Sequence, residues 1–340
     1  MIDLLVAGGG PAGLAAAVHG ALAGMETVVV EPREAPVDKA CGEGVMPSGV
    51  RALRELGVDL GPAGGRELRG IRYLDGARSV QAAFRGGTGL GVRRTALHRA
   101  LWLRAAALGV RIVPGRVGDV RQEDGAVSAA GWRARWMIAA DGLHSPVRRA
   151  LGLQARRCGT RRYGLRRHYR VAPWTDFVEV HWSARGEAYV TPVGEELVGV
   201  AVLSPVRCGF DAHLERFPGL AARLAGPPAG AVRGAGPLRQ RVRRRVAGRV
   251  LLVGDAAGYV DALTGEGVAL ALASAEAAVR CLAAGRPAAY EAAWRRLSRR
   301  HRLLTTALVQ AAGREGTARL VVPAASRLPG TFGAVVRALQ

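Results

Sequence analysis

Three glycines spaced G-x-G-x-x-G, at Gly8, Gly10 and Gly13, separate an apolar run, Ile2 to Ala7, from a run of good helix formers, Leu14 to Ala23. This spacing predicts a buried strand, a tight turn and a helix, because each glycine meets a different steric demand. The first permits the turn, the second lets backbone approach a pyrophosphate, and the third lets helix pack closely on strand. Pro11 and Ala12 complete the turn. A second strand, Thr27 to Val30, is β-branched and ends at Glu31, 18 residues after Gly13. An acid at that point accepts from a ribose hydroxyl, while the helix N-terminus meets phosphate charge.

G-x-G-x-x-G alone is a weak signal; flanked by strand, helix, strand and acid it predicts a dinucleotide cleft. The acid favours a free 2′-hydroxyl, hence FAD or NAD over NADP. Arg33 either reaches the adenosine side of such a ligand or is solvated. No second strand–GxGxxG–helix unit occurs: Gly86 to Gly91 has the wrong spacing, and Gly234 to Pro237 is not followed by a helix pattern. A nicotinamide cofactor, if used, would bind transiently in a shared cleft.

Two distant stretches narrow the choice of dinucleotide. "RWMIAADGLHSPVRRALG" carries an apolar run, Trp136 to Ala140, followed by Asp141, Gly142, Ser145 and Arg148. "GRVLLVGDAAGYVDALTGEGVALALASAEAA" carries a strand, Val250 to Val253, then Gly254 and Asp255, then Thr264-Gly265-Glu266-Gly267 opening an alanine-rich helix. With these motifs in this order the chain resembles the FAD-dependent oxidoreductases of the para-hydroxybenzoate hydroxylase and geranylgeranyl reductase type. The resemblance covers residues 1–60, about 90–155 and about 245–285, and is looser between 156 and 240.

The resemblance implies that Gly8, Gly10, Gly13 and Glu31 hold the ADP half of FAD, with Pro11, Ala12 and Arg33 as cofactor-binding candidates beside them. It implies that Arg94, heading an R-x-x-L-x-x-x-L helix, contacts the cofactor, that Asp141 and Gly142 lie close to the diphosphate, and that Gly254 and Asp255 bind the ribityl chain. Gly265 and Gly267 would border the isoalloxazine. A helix starting near Gly267 would aim its positive end at the flavin edge that becomes negative on reduction, which favours reduction. Ser145 and Arg148 either serve the cofactor or cap and solvate a helix.

The implied architecture is α/β: a discontinuous Rossmann-like FAD-binding domain (1–70, 91–155 and 245–285), an inserted β-sheet substrate domain (71–90 and 156–244) and a C-terminal helical segment (286–340). Within the insert, Phe177 to Trp182, Ala188 to Pro192 and Leu197 to Leu203 pattern as strands, and Pro205 to Gly236 as mixed helix and loop. Two or three helices are expected from Pro287 onward, with Trp294, Leu297 and Leu304 on one side of a basic helix. "RQRVRRR", Arg239 to Arg245, patterns as a solvated lead-in to a strand, with gripping a nicotinamide phosphate as the alternative.

Formal charge is +22. All of the basic residues except Lys39 are arginine, a skew that fits genome composition better than a selected surface. The arginines are scattered and aromatics make up 5%, so nucleic-acid binding is not expected. Attraction to anionic substrates or lipid is the better match to this charge, with peripheral membrane contact through the basic helix as its sharper form. Cys41, Cys158, Cys208 and Cys281 form no CxxC pair, so no metal site or disulfide framework is expected. No apolar stretch approaches the roughly 18–20 residues of a spanning helix. A cytoplasmic enzyme, monomer or dimer, is expected.

"DKACGEGVMPSG", Asp38 to Gly49, is the segment that the resemblance sets under the isoalloxazine. Cys41-Gly42 matches a pair frequent in prenyl reductases, and Pro47 to Gly57 matches a helix pattern of the hydroxylases. Cys41 is a candidate to shape the pocket, hold substrate or relay a proton, and Glu43 is a candidate acid, base or hydroxyl anchor. Lys39 is expected to face solvent. Where prenyl reductases show Tyr-x-Trp-x-Phe-Pro, this chain has Tyr189-Val-Thr-Pro192, and hydroxyls at Tyr189 and Thr191 suit a phenolic or polar ring. His168 patterns as an ordinary core or surface histidine. The favoured expectation is therefore an NAD(P)H-dependent FAD monooxygenase of secondary metabolism, hydroxylating an aromatic or polyketide-like small molecule. The alternative is a geranylgeranyl-reductase-like flavoenzyme that saturates C=C bonds of an isoprenoid or lipid.

Overall fold

The glycine-centred strand lies near the middle of the first sheet of the computed structural model, which describes the whole chain except residues 62, 63, 77, 124, 157, 158, 160, 339 and 340. Cys158 is thus outside the described residues. The central path of this sheet runs, in spatial order, Val246–Ala247, Val250–Leu252, Trp132–Ala139, Ile2–Ala7, Thr27–Glu31 and Arg111–Pro114. Every pairing from Val250–Leu252 to Arg111–Pro114 is parallel. Parallel strands are covered on both faces, which is why they are continuous apolar runs without alternation. Leu4, Leu5, Val6, Val28, Val29, Met137, Ile138, Leu251 and Leu252 are all fully buried.

Small residues let the helices approach. Pro11–Leu22 has five alanines and two glycines among its twelve residues and lies against both this sheet and the helix Gly267–Ala283. A Cβ on Gly13 would come within 1.8 Å of the Gly8 carbonyl oxygen, and one on Gly20 within 2.8 Å of Leu4 Cδ2. Helix and strand are therefore packed backbone to backbone at the very turn that the spacing demanded.

A second sheet of seven strands runs Arg233–Ala235, Tyr163–Tyr169, Leu197–Ser204, Gly186–Gly194, Phe177–Ser183, Gly70–Asp75 and Arg78–Ala83. It is antiparallel except where Phe177–Ser183 pairs with Gly70–Asp75. Its strands alternate, as a two-faced sheet must. Tyr169, Val190, Val198 and Val200 pack under the short helices Phe210–Leu214 and Pro218–Arg223. On the other face lie Val178, Val180, Trp182 and Tyr189. Tyr73 packs there against Trp182 and against Phe332 of the C-terminal helix Pro329–Ala338, with centroids 5.3 and 4.8 Å apart.

A small third sheet, Gly44–Val45, Gly89–Gly91 and Arg66–Leu68, bridges the other two. It takes up Gly89 and Leu90, which the sequence pattern groups with the insert, together with Gly91. Arg233–Ala235 joins the second sheet, although its stretch patterned as helix and loop. Among the described residues after Pro287 four helices occur, Ala289–Ala312, Glu315–Ala318, Val321–Arg327 and Pro329–Ala338, where two or three are expected. The first buries Trp294, Ser298, His301 and Thr305, at steps of four, three and four. Leu297 is 41% exposed, so the expected side comprising Trp294, Leu297 and Leu304 is not the buried one. Polar Ser298 and Thr305 obscured the true face.

The bridging sheet depends on one close approach, for a Cβ at Gly91 would stand 1.8 Å from the Pro192 carbonyl oxygen. Gly91→Ala should lower stability by about 1–3 kcal/mol, the usual range for overpacking. The urea midpoint measures this, and an unchanged midpoint would mean that the two backbones separate freely.

Candidate functional site

The first turn is drawn together by Glu31. Its Oε2 accepts from Gly9 N at 2.7 Å and its Oε1 accepts from Arg33 Nε at 2.7 Å. Burial alone would raise this carboxyl, but the hydrogen bonds from Arg33 and Gly9 hold it below its ordinary value. Arg33 is thus paired with Glu31, one of the two roles left open for it being reach toward the ligand. Below the loop, His98 lies fully buried, with Nε2 2.9 Å from the Gly9 carbonyl oxygen. It was not anticipated; only its position one turn after Arg94 hinted at it.

The second and third motifs meet across Arg148. This side chain is buried. Its Nη1 donates to the carbonyl of Ala256 at 3.0 Å and its Nη2 to that of Leu143 at 2.8 Å, while Nε donates to Gln154 Oε1 at 2.7 Å. It therefore fastens the loop after Asp141 to the turn Gly254–Ala257. Ser145 caps the helix Pro146–Ala150 by accepting from Arg148 N. Of the two roles weighed for this pair, capping holds for Ser145 and solvation does not hold for Arg148.

Around these loops a set of polar groups fits a dinucleotide such as FAD. Asp141 Oδ2 accepts from Val147 N at 3.0 Å, whereas its Oδ1 is buried without a protein partner, as is Arg94 Nη1. Buried orphan groups are rare in folded proteins, and a ligand's hydroxyls and phosphates would satisfy both. Burial and then the charge of Arg33 lower the Lys39 ammonium, and burial lowers Arg94, with Arg33 adding to it. Mutual repulsion among three cations is what a diphosphate would relieve. Lys39 is exposed, as expected, while its Nζ lies 3.3 Å from where a Gly142 Cβ would be, against the loop after Asp141. Burial raises Asp255, against the opposing pull of Lys39, Arg94 and Arg148. A Cβ on Gly10 would meet nothing, which leaves an open face over the turn, and a Cβ on Gly8 would strike the Ala140 carbonyl at 2.7 Å. Pro11 and Ala12 begin the first helix, and Gly267 begins the helix Gly267–Ala283 after Gly265 at φ +70°.

The segment Asp38 to Gly49 forms the boundary between the first and second sheets. Glu43 is buried at φ +60°, a conformation costly for a side-chain-bearing residue and kept only where surroundings dictate it. Its Oε1 accepts from Arg94 N at 2.8 Å, at the positive end of the helix Arg94–Ala107, and its Oε2 lies 2.5 Å from His168 Nε2. Arg166 Nη1 lies 3.0 Å from His168 Nδ1. Arginine can only donate, so Nδ1 accepts and Nε2 carries the proton toward Glu43. Glu43 is therefore not a solvated loop carboxylate. Cys41 is partly exposed. Burial of the thiol and then the Glu43 charge push its pKa up, so it stays protonated.

Tyr189 and Thr191 use their hydroxyls internally. Tyr189 Oη donates to the Leu263 carbonyl at 3.1 Å and Thr191 Oγ1 donates to the Gly42 carbonyl at 2.8 Å. Met46, Leu68, Val178 and Leu263 belong to the same apolar cluster as Tyr189. Among the described residues no cluster of His, Cys, Asp or Glu could hold a metal ion, and no helix is long and apolar enough to cross a membrane.

A family model described as FAD binding domain matches residues 1–183. The chain is similar to the menaquinone reductase of Mycolicibacterium smegmatis, 29% identical over 335 residues that cover 88% of this chain and 80% of the relative. It is also similar to digeranylgeranylglycerophospholipid reductase 1 of Methanopyrus kandleri, 30% identical over 305 residues, 79% of this chain and 77% of the relative. Among solved structures, a flavoprotein/dehydrogenase from Cytophaga hutchinsonii superposes with a TM-score of 0.86 at 19% identity, covering 99% of this chain and 92% of that one.

Burial, with the Arg94 charge second, pushes His98 down to about 4 from an ordinary 6.5. The unfolded chain thus takes up the proton first, so the contribution is complete above pH 6.5 and is lost as pH falls toward 4. The apoprotein should lose stability across this window with a limiting slope of about 1.4 kcal/mol per pH unit. In His98→Gln the slope should flatten. Chemical denaturation between pH 4 and 7 measures both, and parallel profiles would remove His98 as the cause.

Proposed function

Because the chain belongs to the FAD-binding-domain family and is an FAD-dependent oxidoreductase, we propose that it is a reductase that saturates a carbon–carbon double bond in an apolar, isoprenoid-like or lipid substrate. One observation carries this reading: the two hydroxyls that would greet a phenol are bound to backbone carbonyls, and the side chains gathered beside Tyr189 are Met46, Leu68, Val178 and Leu263. An apolar substrate loses nothing by meeting such a wall, whereas a phenol would find no free donor there, only the remaining lone pairs of two hydroxyls whose protons are already committed. The reductase names of the two relatives support the same reading. Hydroxylation of an aromatic or polyketide-like molecule drew on those same hydroxyls, and is the alternative outcome of the test below.

We assign the ADP half of FAD to Gly8, Gly10, Gly13, Glu31 and Arg33, the diphosphate to Arg94, Lys39, Asp141 and Gly142, and the ribityl chain to Asp255. Bound FAD supplies two-electron redox chemistry, and a nicotinamide is the proposed source of its electrons. The protein's own part is to exclude water, orient the double bond and provide a proton. Cys41 is the proposed donor, since its thiol keeps its proton and its Sγ is fixed by the Glu43 backbone N–H at 3.3 Å. Glu43, His168 and Arg166 hold that segment against the second sheet, and act as positioning residues.

The test supplies NADPH and candidate isoprenoid lipids to the FAD-loaded protein under anaerobic conditions and weighs the product. A gain of two hydrogens is expected. In Cys41→Ala turnover should fall by about 10²-fold or more, the usual contribution of a positioned acid, while FAD content stays the same. A product heavier by one oxygen, formed only in air, would overturn the reductase reading in favour of hydroxylation. Unchanged turnover in Cys41→Ala would remove the thiol from the chemistry.

A further inference from the structure

The 239–245 segment is a solvated lead-in only in part: Arg241, Arg243 and Arg244 are exposed, while Gln240 and Arg245 are buried. With the helix Ala289–Ala312 and the start of the helix Gly267–Ala283 it lines a cavity of about 700 Å³, well inside the range of small-molecule sites, about 300–1,000 Å³. Arg239, Arg241, Arg245, Arg295, Arg299 and Arg302 line it, with Asp255 as the one acid. Six of its 22 lining residues are arginine, against 48 of 340 in the chain, so the genome-wide taste for arginine does not account for the concentration.

The guanidiniums are organised. Arg245 Nη1 pairs with Glu291 Oε1 at 2.9 Å, and its Nε donates to the Ala257 carbonyl at 3.1 Å. Arg245 and Arg302 both lie over the ring of Trp294, 3.8 and 5.4 Å from its centroid. Burial and then the charges of Arg245, Arg241 and Arg239 lower Arg302, so these four groups converge closely enough to repel one another. Convergent like charges in a concave, partly desolvated site are relieved by a multiply charged anion. Val242, Leu270 and Leu303 add apolar wall, so there is room for an uncharged remainder of the ligand.

We propose that this cavity binds a soluble ligand carrying two or more phosphate groups through bidentate guanidinium–phosphate bonds. A nicotinamide dinucleotide phosphate and a substrate with a diphosphate head share that chemistry. Gly254 and Asp255 line the cavity as well as the turn assigned to the ribityl chain, so such a ligand would sit beside the cofactor loop. The inference stands on the arginines and is independent of which bond the enzyme reduces.

Calorimetric titration of the FAD-loaded protein with inorganic pyrophosphate tests it, using two variants of equal charge. Arg299→Gln/Arg302→Gln removes two cavity arginines; Arg296→Gln/Arg300→Gln removes two exposed arginines of the same helix that do not line the cavity. Pyrophosphate should bind the wild type and the second variant alike, and the first variant at least about tenfold more weakly, the loss expected for charge-assisted contacts. NADPH following the same pattern would identify the dinucleotide as the source; NADPH binding unaffected by either pair, with pyrophosphate still discriminating, would assign the cavity to a diphosphate-headed substrate. Equal pyrophosphate affinity in all three proteins, or none in any, would overturn the proposal. So would anionic phospholipid vesicles that lose binding in the first variant while pyrophosphate binds nowhere, since the arginines would then form a membrane face.

Discussion

The guanidinium of Arg148 fixes the relative position of the two loops proposed to hold the diphosphate and the ribityl chain. Its donors reach carbonyls at Leu143, Asp255 and Ala256, and side-chain oxygens of Gln154 and Gln240. The turns after Trp132–Ala139 and Val250–Leu252 leave adjacent parallel strands at the same edge of the sheet. Turns at strand ends have carbonyls that no ladder pairs, and burying them without donors costs roughly 1–3 kcal/mol each. One planar fork satisfies several of them at once, which a lysine could not do. Asp141 and Asp255 then stand at set positions without bonding to each other.

The second sheet is attached to that end by hydrogen bonds and ion pairs rather than by apolar packing alone. His168 meets Glu43, Thr191 meets Gly42, Tyr189 meets Leu263, and Arg162 lies between Glu187 and Asp261. Burial raises Glu187 to about 7, opposed by the Arg162 charge. Such directional bonds fix register where apolar contacts would tolerate sliding. Both segments that the sheet grips, 38–44 and 261–263, belong to the loops proposed to surround the flavin. On that proposal the position of the sheet and the shape of the reaction chamber are one variable, not two.

Legibility followed the range of the interaction. The glycine turn, Glu31, the start of the helix at Gly267 and the three strands from Phe177 to Ser204 were all visible, since each is dictated by steric demands within about ten residues. Arg148 and Glu43 are visible in the sequence, but their roles stay open there. Their partners lie 107 residues away for Arg148 and Asp255, and 125 for Glu43 and His168, distances over which a single sequence carries no pairing signal. The buried side of the long basic helix includes the polar residues Ser298 and Thr305; Thr305 is a good interior residue because Thr264 and His301 bond to its hydroxyl, whereas Ser298 is buried without such a partner. Hydrophobicity alone cannot find such a face.

The hydroxyls of Tyr189 and Thr191 show the same limit in functional form. From the sequence, a tyrosine and a threonine in place of aromatic residues imply a polar chamber. In three dimensions a hydroxyl counts as polar toward a ligand only if the protein leaves it unspent, and here backbone carbonyls at Leu263 and Gly42 take both protons. The lone pairs that remain are weak invitations compared with a free donor. On the proposed reading, a substrate would meet the carbon skeleton of those residues, of which Tyr189 belongs with Met46, Leu68 and Val178 to one apolar neighbourhood. The chemistry of a site is set by the polar valences left over after folding, so a substitution from aromatic to hydroxyl-bearing residues can leave a chamber apolar while strengthening its walls.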